Sequence, residues 1–135
     1  MTRGTFVLLT KDGKLYQSLE FNGDMYWDGY GEEAFNLMQD IETKEQFKNA
    51  VILFNETHHN YTDEEEYIYN CEPVEEFLNG FVKTKYFEYW FSDYIFFKNA
   101  SEHDITVKDY NNNDIVLKNG EVTILKFGEI YTPNK

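Results

Sequence analysis

Apolar residues follow two different rhythms along this chain, and the places where one gives way to the other mark its elements. Near the start, Thr5-Phe6-Val7-Leu8-Leu9-Thr10 and Leu15-Tyr16-Gln17-Ser18-Leu19-Glu20 are two β-rich runs around Lys11-Asp12-Gly13-Lys14. Asp-Gly in that position predicts a hairpin with a type I′ turn, in which both central residues take positive φ. From Glu32 the spacing becomes helical. Glu32 and Glu33 suit a first turn, where carboxylates meet the positive end of the helix dipole, and Ala34, Phe35, Leu37, Met38 and Ile41 supply the apolar stripe. A second helix opens at Thr43, since Thr43-x-x-Gln46 is a capping-box pattern and Phe47, Ala50, Val51 and Phe54 recur at i, i+3, i+4 and i+7. These two helices are expected to pair antiparallel and to cover one face of a sheet.

Beyond them the pattern turns polar through His58-His59-Asn60-Tyr61-Thr62 and then acidic. A short β-like run, Tyr67-Ile68-Tyr69, interrupts the charge. Pro73 to Leu78 reads as a one- or two-turn helix: proline at its first position, Glu75 and Glu76 in the first turn, Asn79-Gly80 after it. The last third is read as strands at Tyr86–Phe91, Asp93–Phe97, Ile105–Val107, Ile115–Lys118 and Glu121–Phe127. Asn119-Gly120 between the last two is the strongest hairpin signal in the chain. The expected fold is a single α+β domain over residues 1–135, an antiparallel sheet built from hairpins with the helix pair on one face and one short extra helix.

Composition narrows the class. The chain has 135 residues, which suits one core better than two, and a formal net charge of −13. Aromatic residues make up 19% of it, enough ring area to offset chain entropy despite the charge. No run approaches the ~20 apolar residues of a membrane span, and Met1-Thr2-Arg3-Gly4 leads straight into a β-like segment, so a cytoplasmic protein is expected. The lone Cys71 cannot form an internal disulfide. Direct duplex binding is disfavoured, because it draws affinity from Lys and Arg on phosphates, whereas a basic protein partner is electrostatically favoured. Arg3 is the only arginine among twelve basic residues, which we read as low-GC coding bias.

Two stretches carry candidate chemistry. The first is Phe21 to Gly31, whose three glycines and whose Asn22, Asp24 and Asp28 favour a loop; Asp24, Tyr26, Trp27, Asp28 and Tyr30 are its candidate ligand- or partner-binding residues. A calcium loop starting at Asp24 would need oxygen ligands where Tyr26 and Phe35 stand, so no metal is expected there. The second is Asp63 to Glu76, where Asp63, Glu64, Glu65, Glu66, Glu72, Glu75 and Glu76 accumulate with no Lys or Arg between them. These seven are the candidate partner-binding face, weighed against a charge run that only solvates. His58, His59, His103 and Cys71 lack zinc spacing, and the adjacent histidines are read as a solvated feature at a helix C-terminus. Carboxylates around Cys71 should raise its thiol pKa and suppress the thiolate, and Thr2 would act as a nucleophile only with Met1 removed. No catalytic residue and no cofactor is expected.

Thr2-Arg3-Gly4, Lys11-Asp12-Gly13-Lys14 and Asp28-Gly29-Tyr30-Gly31-Glu32-Glu33 together resemble a group of small phage and prophage proteins of no assigned activity, over about the first quarter of the chain. Taken whole, the chain is similar in character to phage-encoded anti-defence proteins, anti-CRISPR proteins among them: small, acidic, rich in Lys over Arg and in aromatics, without a catalytic signature. That resemblance transfers no functional residue. It implies a non-enzymatic inhibitor in the host bacterial cytoplasm whose carboxylates mimic phosphates in the basic groove of a defence nuclease. The alternatives are a binding protein or enzyme for a small molecule or nucleotide signal, using the Asn22–Gly31 loop, and an immunity protein or antitoxin against a basic nuclease.

Overall fold

Strands β1 (Arg3–Leu9) and β5 (Tyr94–Asn99) lie side by side and parallel, in register from Gly4 opposite Tyr94 to Leu9 opposite Asn99. The computed structural model describes residues 2–59, 67–71, 92–108, 113–127 and 129–133. Among the described residues every other strand pairing is antiparallel. Strand β2 (Leu15–Ser18) runs along the second half of β1 and β3 (Phe21–Asn22) along the first half, so one returning segment covers β1 with a break at Leu19 and Glu20. Ser18 bridges that break: its fully buried hydroxyl accepts the Phe6 N–H at 2.9 Å and donates to the Leu19 carbonyl at 2.7 Å, so Phe6 keeps a partner where the ladder is interrupted. Strand β4 (Ile68–Cys71) extends the sheet beyond β2; β8 (Val122–Lys126) and β9 (Glu129–Tyr131) extend it beyond β5. The order is β4-β2-β1-β5-β8-β9, and a separate two-stranded sheet joins β6 (Ile105–Lys108) to β7 (Asp114–Leu117).

Side chains on β1 and β5 alternate between two cores. Phe6, Leu8, Tyr94 and Phe96 face α1 (Glu32–Met38) and α2 (Lys44–Phe54), with Ala34, Met38, Phe47, Val51 and Phe54 packed over them. Val7, Leu9, Ile95 and Phe97 face the opposite way, against Ile105, Val107, Ile115 and Leu117 of the β6–β7 hairpin. The molecule is therefore layered, helices over sheet over hairpin. Phe6 is central to the first core, with its ring 5.1 Å from Phe54, 5.6 Å from Phe96 and 5.7 Å from Phe21. Such pairs add ~0.5–1.5 kcal/mol each beyond area burial. Among the described residues no helix is long and apolar enough to cross a membrane.

The chain is α+β, but three expectations give way. The sheet is mixed rather than antiparallel, because β1 and β5 are far enough apart in sequence for the crossover that parallel pairing requires. Doubly covered strands also read as unbroken apolar runs, and both do. Second, Asn119-Gly120 does not close a hairpin: β7 pairs with β6 and β8 with β5, so this turn carries the chain from one sheet to the other. Third, the first hairpin is closed by the three residues Lys11, Asp12 and Gly13, with the Gly13 N–H on the Thr10 carbonyl at 3.1 Å and only Gly13 at positive φ, 81°. A type I′ turn would need Asp12 there too. The helix read at Pro73–Leu78 and the strand at Tyr86–Phe91 lie outside the described residues.

Asn99, at the end of β5, ties the two sheets together. It is fully buried, and its side-chain NH2 donates to the carbonyls of Leu117 at 2.8 Å and His103 at 2.9 Å. Its amide oxygen accepts from the Ser101 N–H at 3.0 Å and the Ser101 hydroxyl at 2.6 Å, and its own carbonyl takes the Gly120 N–H at 2.6 Å. Asn99→Ala leaves two carbonyls and Ser101 without that partner, at ~1–3 kcal/mol for each unsatisfied buried group. We expect urea unfolding to show a loss of about 3 kcal/mol, whereas Val116→Thr on the exposed face of the hairpin should change stability by less than about 0.5 kcal/mol.

Candidate functional site

The Gly-rich stretch after β3 is knitted to its own backbone. The Tyr30 N–H donates to the Asp24 carbonyl at 2.7 Å, and the N–H groups of Gly29 and Gly31 donate to the Tyr26 carbonyl at 3.0 and 2.9 Å. Trp27–Gly31 forms a wide turn, kinked at Gly29 (φ −91°, ψ −115°), that runs into α1 at Glu32. A Cβ on Gly29 would stand 2.4 Å from the Asp24 carbonyl oxygen, so that position admits no side chain without opening the turn. Met25, fully buried, anchors the loop in the helix-side core, while Asp24 holds a left-handed φ of 60° with its side chain exposed.

The rings of this loop diverge. Trp27 packs on Phe35 of α1 at 5.7 Å, whereas Tyr30 turns toward the end of α2 and stacks on His58 at 4.1 Å. Tyr26 is 41% exposed, and Asp28 is exposed beside it. Of the three rings among the loop's candidate binding residues, Trp27 alone borders the large groove described below.

His58 and His59 continue α2 through one wider turn, Asn55–His59, and the structure corrects their reading as solvated residues. His58 donates to the Glu33 carboxylate across to α1, with its side chain 15% exposed. His59 lies against Phe21 at 5.0 Å and Tyr30 at 5.7 Å, and its Nε2 donates to the Gly23 carbonyl at 3.2 Å. Aromatic packing against Phe21, Phe54 and Tyr30 outweighs any gain from facing water, because helix-end charge effects amount only to ~0.3–1 kcal/mol at the surface. Burial holds the His59 pKa below its ordinary 6.5, opposed by the Gly23 carbonyl and by Asp24.

Charge is distributed unevenly around this loop. Between Lys14 and Lys44 the chain carries seven carboxylates and no Lys or Arg. Six of them, Asp24, Asp28, Glu32, Glu33, Asp40 and Glu42, are exposed on the loop and the first helical layer. The sequence signal for this surface was the long absence of basic residues, which a search centred on the denser Asp63–Glu76 run passes over. Asp63, Glu64, Glu65, Glu66, Glu72, Glu75 and Glu76 all lie outside the described residues. Nearby, Lys98 is 4% exposed and donates to the Gln39 carbonyl, pinning the α1–α2 connection to β5; burial pushes its pKa down against the pull of Glu42 and Asp40.

A groove of about 460 Å3 opens on the other side of Trp27, where Phe35 of α1 meets Val122, Ile124, Ile130, Tyr131 and Pro133 at the β8–β9 edge. Ile130 is 53% exposed. Among the described residues no three His, Cys, Asp or Glu side chains are grouped to hold a metal ion. Comparison of the chain with family models, with curated protein sequences and with solved structures found no match.

Two variants probe this region. Gly29→Ala should lower stability by about 2 kcal/mol in chemical unfolding and increase amide exchange across residues 24–31. The lowered His59 pKa predicts that stability falls with acidification: below pH 6.5 the unfolded state takes up a proton that the folded histidine resists. The contribution is full above 6.5 and is lost as pH drops toward the folded value. In His59→Gln, unfolding midpoints measured across this range should lose that component of the slope.

Proposed function

We propose that this chain is a non-enzymatic inhibitor that presents carboxylates to the basic nucleic-acid groove of a host defence nuclease, such as a CRISPR effector, in place of phosphates. The observation that carries this reading is that Asp24, Asp28, Glu32, Glu33, Asp40 and Glu42 are all exposed with no Lys or Arg in their own stretch of chain, although His58 engages Glu33 and Lys98 acts on Asp40 and Glu42. The backbone of this stretch is held by the wide turn, by Met25 and by the histidine contacts, so the charges stand on a supported surface. A duplex bears one negative charge per ~1.7 Å of axis, and a groove that neutralises it is lined with cations that carboxylates can also satisfy. Exposed Tyr26, among these carboxylates, is the kind of ring that anchors protein interfaces. The seven carboxylates from Asp63 to Glu76 add to the same charge excess.

Titration of candidate nucleases with the chain tests the reading. Association should be fast at ~0.05 M salt and weaken steeply by ~0.3 M, as screening shortens the range of the field. Replacing Asp24, Asp28 and Glu32 by Asn and Gln should weaken binding at least about tenfold, or ~1.4 kcal/mol, and so should Gln at Glu64, Glu65 and Glu66. Both variants should keep the stability of the parent chain. Unchanged affinity in folded variants of both kinds rejects the phosphate-mimic mechanism. Reproducible thermal stabilisation by a nucleotide, lost in Asp24→Asn with Asp28→Asn, would favour a ligand-binding protein instead.

A further inference from the structure

Strand β9 is one of the two outer strands of the large sheet among the described residues, the other being β4, and pairs with β8 from Lys126 opposite Glu129 to Ile124 opposite Tyr131. No described strand pairs with its other edge, where an added strand would find backbone donors and acceptors. Sheet edges are ordinarily blunted by short strands, charges and proline, and β9 has all three: three residues, Glu129, and Pro133 after it. What a blunted edge does not explain is the apolar groove of about 460 Å3 on its helix-side face, walled by Trp27, Phe35, Ile124, Tyr131 and Pro133, with half-exposed Ile130 on the other face of the same strand. That volume accommodates a large side chain or a small ligand.

We propose that the groove and the outer edge of β9 together seat an extended basic segment of a partner protein, which adds as a further strand and places one large apolar side chain in the groove. The inference rests on reading the chain as a binder of basic proteins and names the anchor of that contact. Charge selects the occupant. Glu129 is exposed on β9 itself, Glu121 is exposed just before β8, Asp28 follows Trp27 in the chain, and Glu32 precedes Phe35 by one helical turn. Among the described residues the one cation on the elements that wall the groove is Lys126, and its ammonium already lies over the rings of Tyr94 and Tyr131, at 5.6 and 5.5 Å. A second copy of the chain, also at −13, would bring two acidic rims together, whereas a segment alternating Lys with apolar residues meets both the rim and the groove. Main-chain bonds to β9 would supply affinity and the groove would supply selectivity, the division of labour of strand addition.

The probe is a short capped peptide alternating Lys and Val about a central Phe, with a second peptide carrying Glu in place of Lys. Titrated into the full chain at low salt and followed by amide NMR and hydrogen exchange, the Lys peptide should shift Thr123, Ile130 and Tyr131 and slow exchange along β9. The Glu peptide should leave all of these unchanged. Ile130→Ser and Glu129→Lys, both at exposed positions, should each weaken the Lys peptide by about fivefold, equivalent to ~1 kcal/mol, without moving the thermal midpoint. Shifts confined to Asp24–Glu33, with β9 exchange unaffected, overturn the proposal. So does protection of β9 that grows with protein concentration in the absence of peptide, which would make a second copy the occupant. The two readings fail separately. A nuclease complex weakened by the carboxylate variants but indifferent to both Ile130→Ser and Glu129→Lys removes the β9 contact and leaves the inhibitor. Peptide protection of β9 without any nuclease complex supports the groove and removes the inhibitor.

Discussion

The structure depends on burying a parallel pair of strands on both faces. Parallel strands are stable chiefly where neither face meets water, and β1 and β5 satisfy this with apolar side chains on either side: Phe6, Leu8 and Phe96 toward the helices, Val7, Leu9, Ile95 and Phe97 toward the hairpin. The two covering layers follow from that demand. Where β5 leaves the core, its polar residues become fasteners. Lys98 holds the α1–α2 connection from one face, and Asn99 holds the Leu117 and Gly120 crossing on the other. Two adjacent residues thus brace both covers against the same strand.

What could be read from the sequence was local, and what could not depended on distant partners. Thr43 and Gln46 form their reciprocal cap as their spacing foretells, with the Gln46 N–H on Thr43 Oγ1 at 3.2 Å, because both partners sit within one turn. Strand positions such as Ile115 and Leu117 were legible from alternation, but alternation does not name the neighbouring strand. Asn119-Gly120 is the instructive case: a good hairpin turn was outbid by Asn99, twenty residues upstream, and by a separate sheet that needed Ile115 and Leu117 on its inner face. The histidines failed for a similar reason. Their helix-end position was visible, but the rings of Phe21 and Tyr30 that cover them come from an earlier part of the chain.

The candidate site was partly legible by the same logic. Asp24, Asp28 and Tyr26 were identified in the sequence and lie at the surface, but Trp27 and Tyr30 serve different neighbours, which no spacing rule discloses. Glu32 and Glu33 were assigned to helix stabilisation alone. They do open α1, yet they are exposed in the same acidic stretch as the loop carboxylates, so a residue chosen for a helix end also enlarges a charged surface. The groove was not legible at all, since Phe35 and Tyr131 are nearly a hundred residues apart and border one groove only through the packing of α1 on β8.

Acidic charge and an apolar groove would act on different phases of one encounter. Long-range charge raises the rate at which a basic surface arrives, but exposed pairs contribute little to how long it stays, ~0–1 kcal/mol each. Dwell time comes from desolvated anchors and from hydrogen bonds that water cannot easily replace. An inhibitor built of carboxylates alone would therefore bind quickly and leave quickly at physiological salt. The chain has carboxylates on its loop and first helix and, bordering the same Trp27, an apolar groove beside a strand edge. Because Trp27 belongs to the loop by sequence and to the groove by packing, a partner drawn in by the first surface, as proposed, would arrive beside the second.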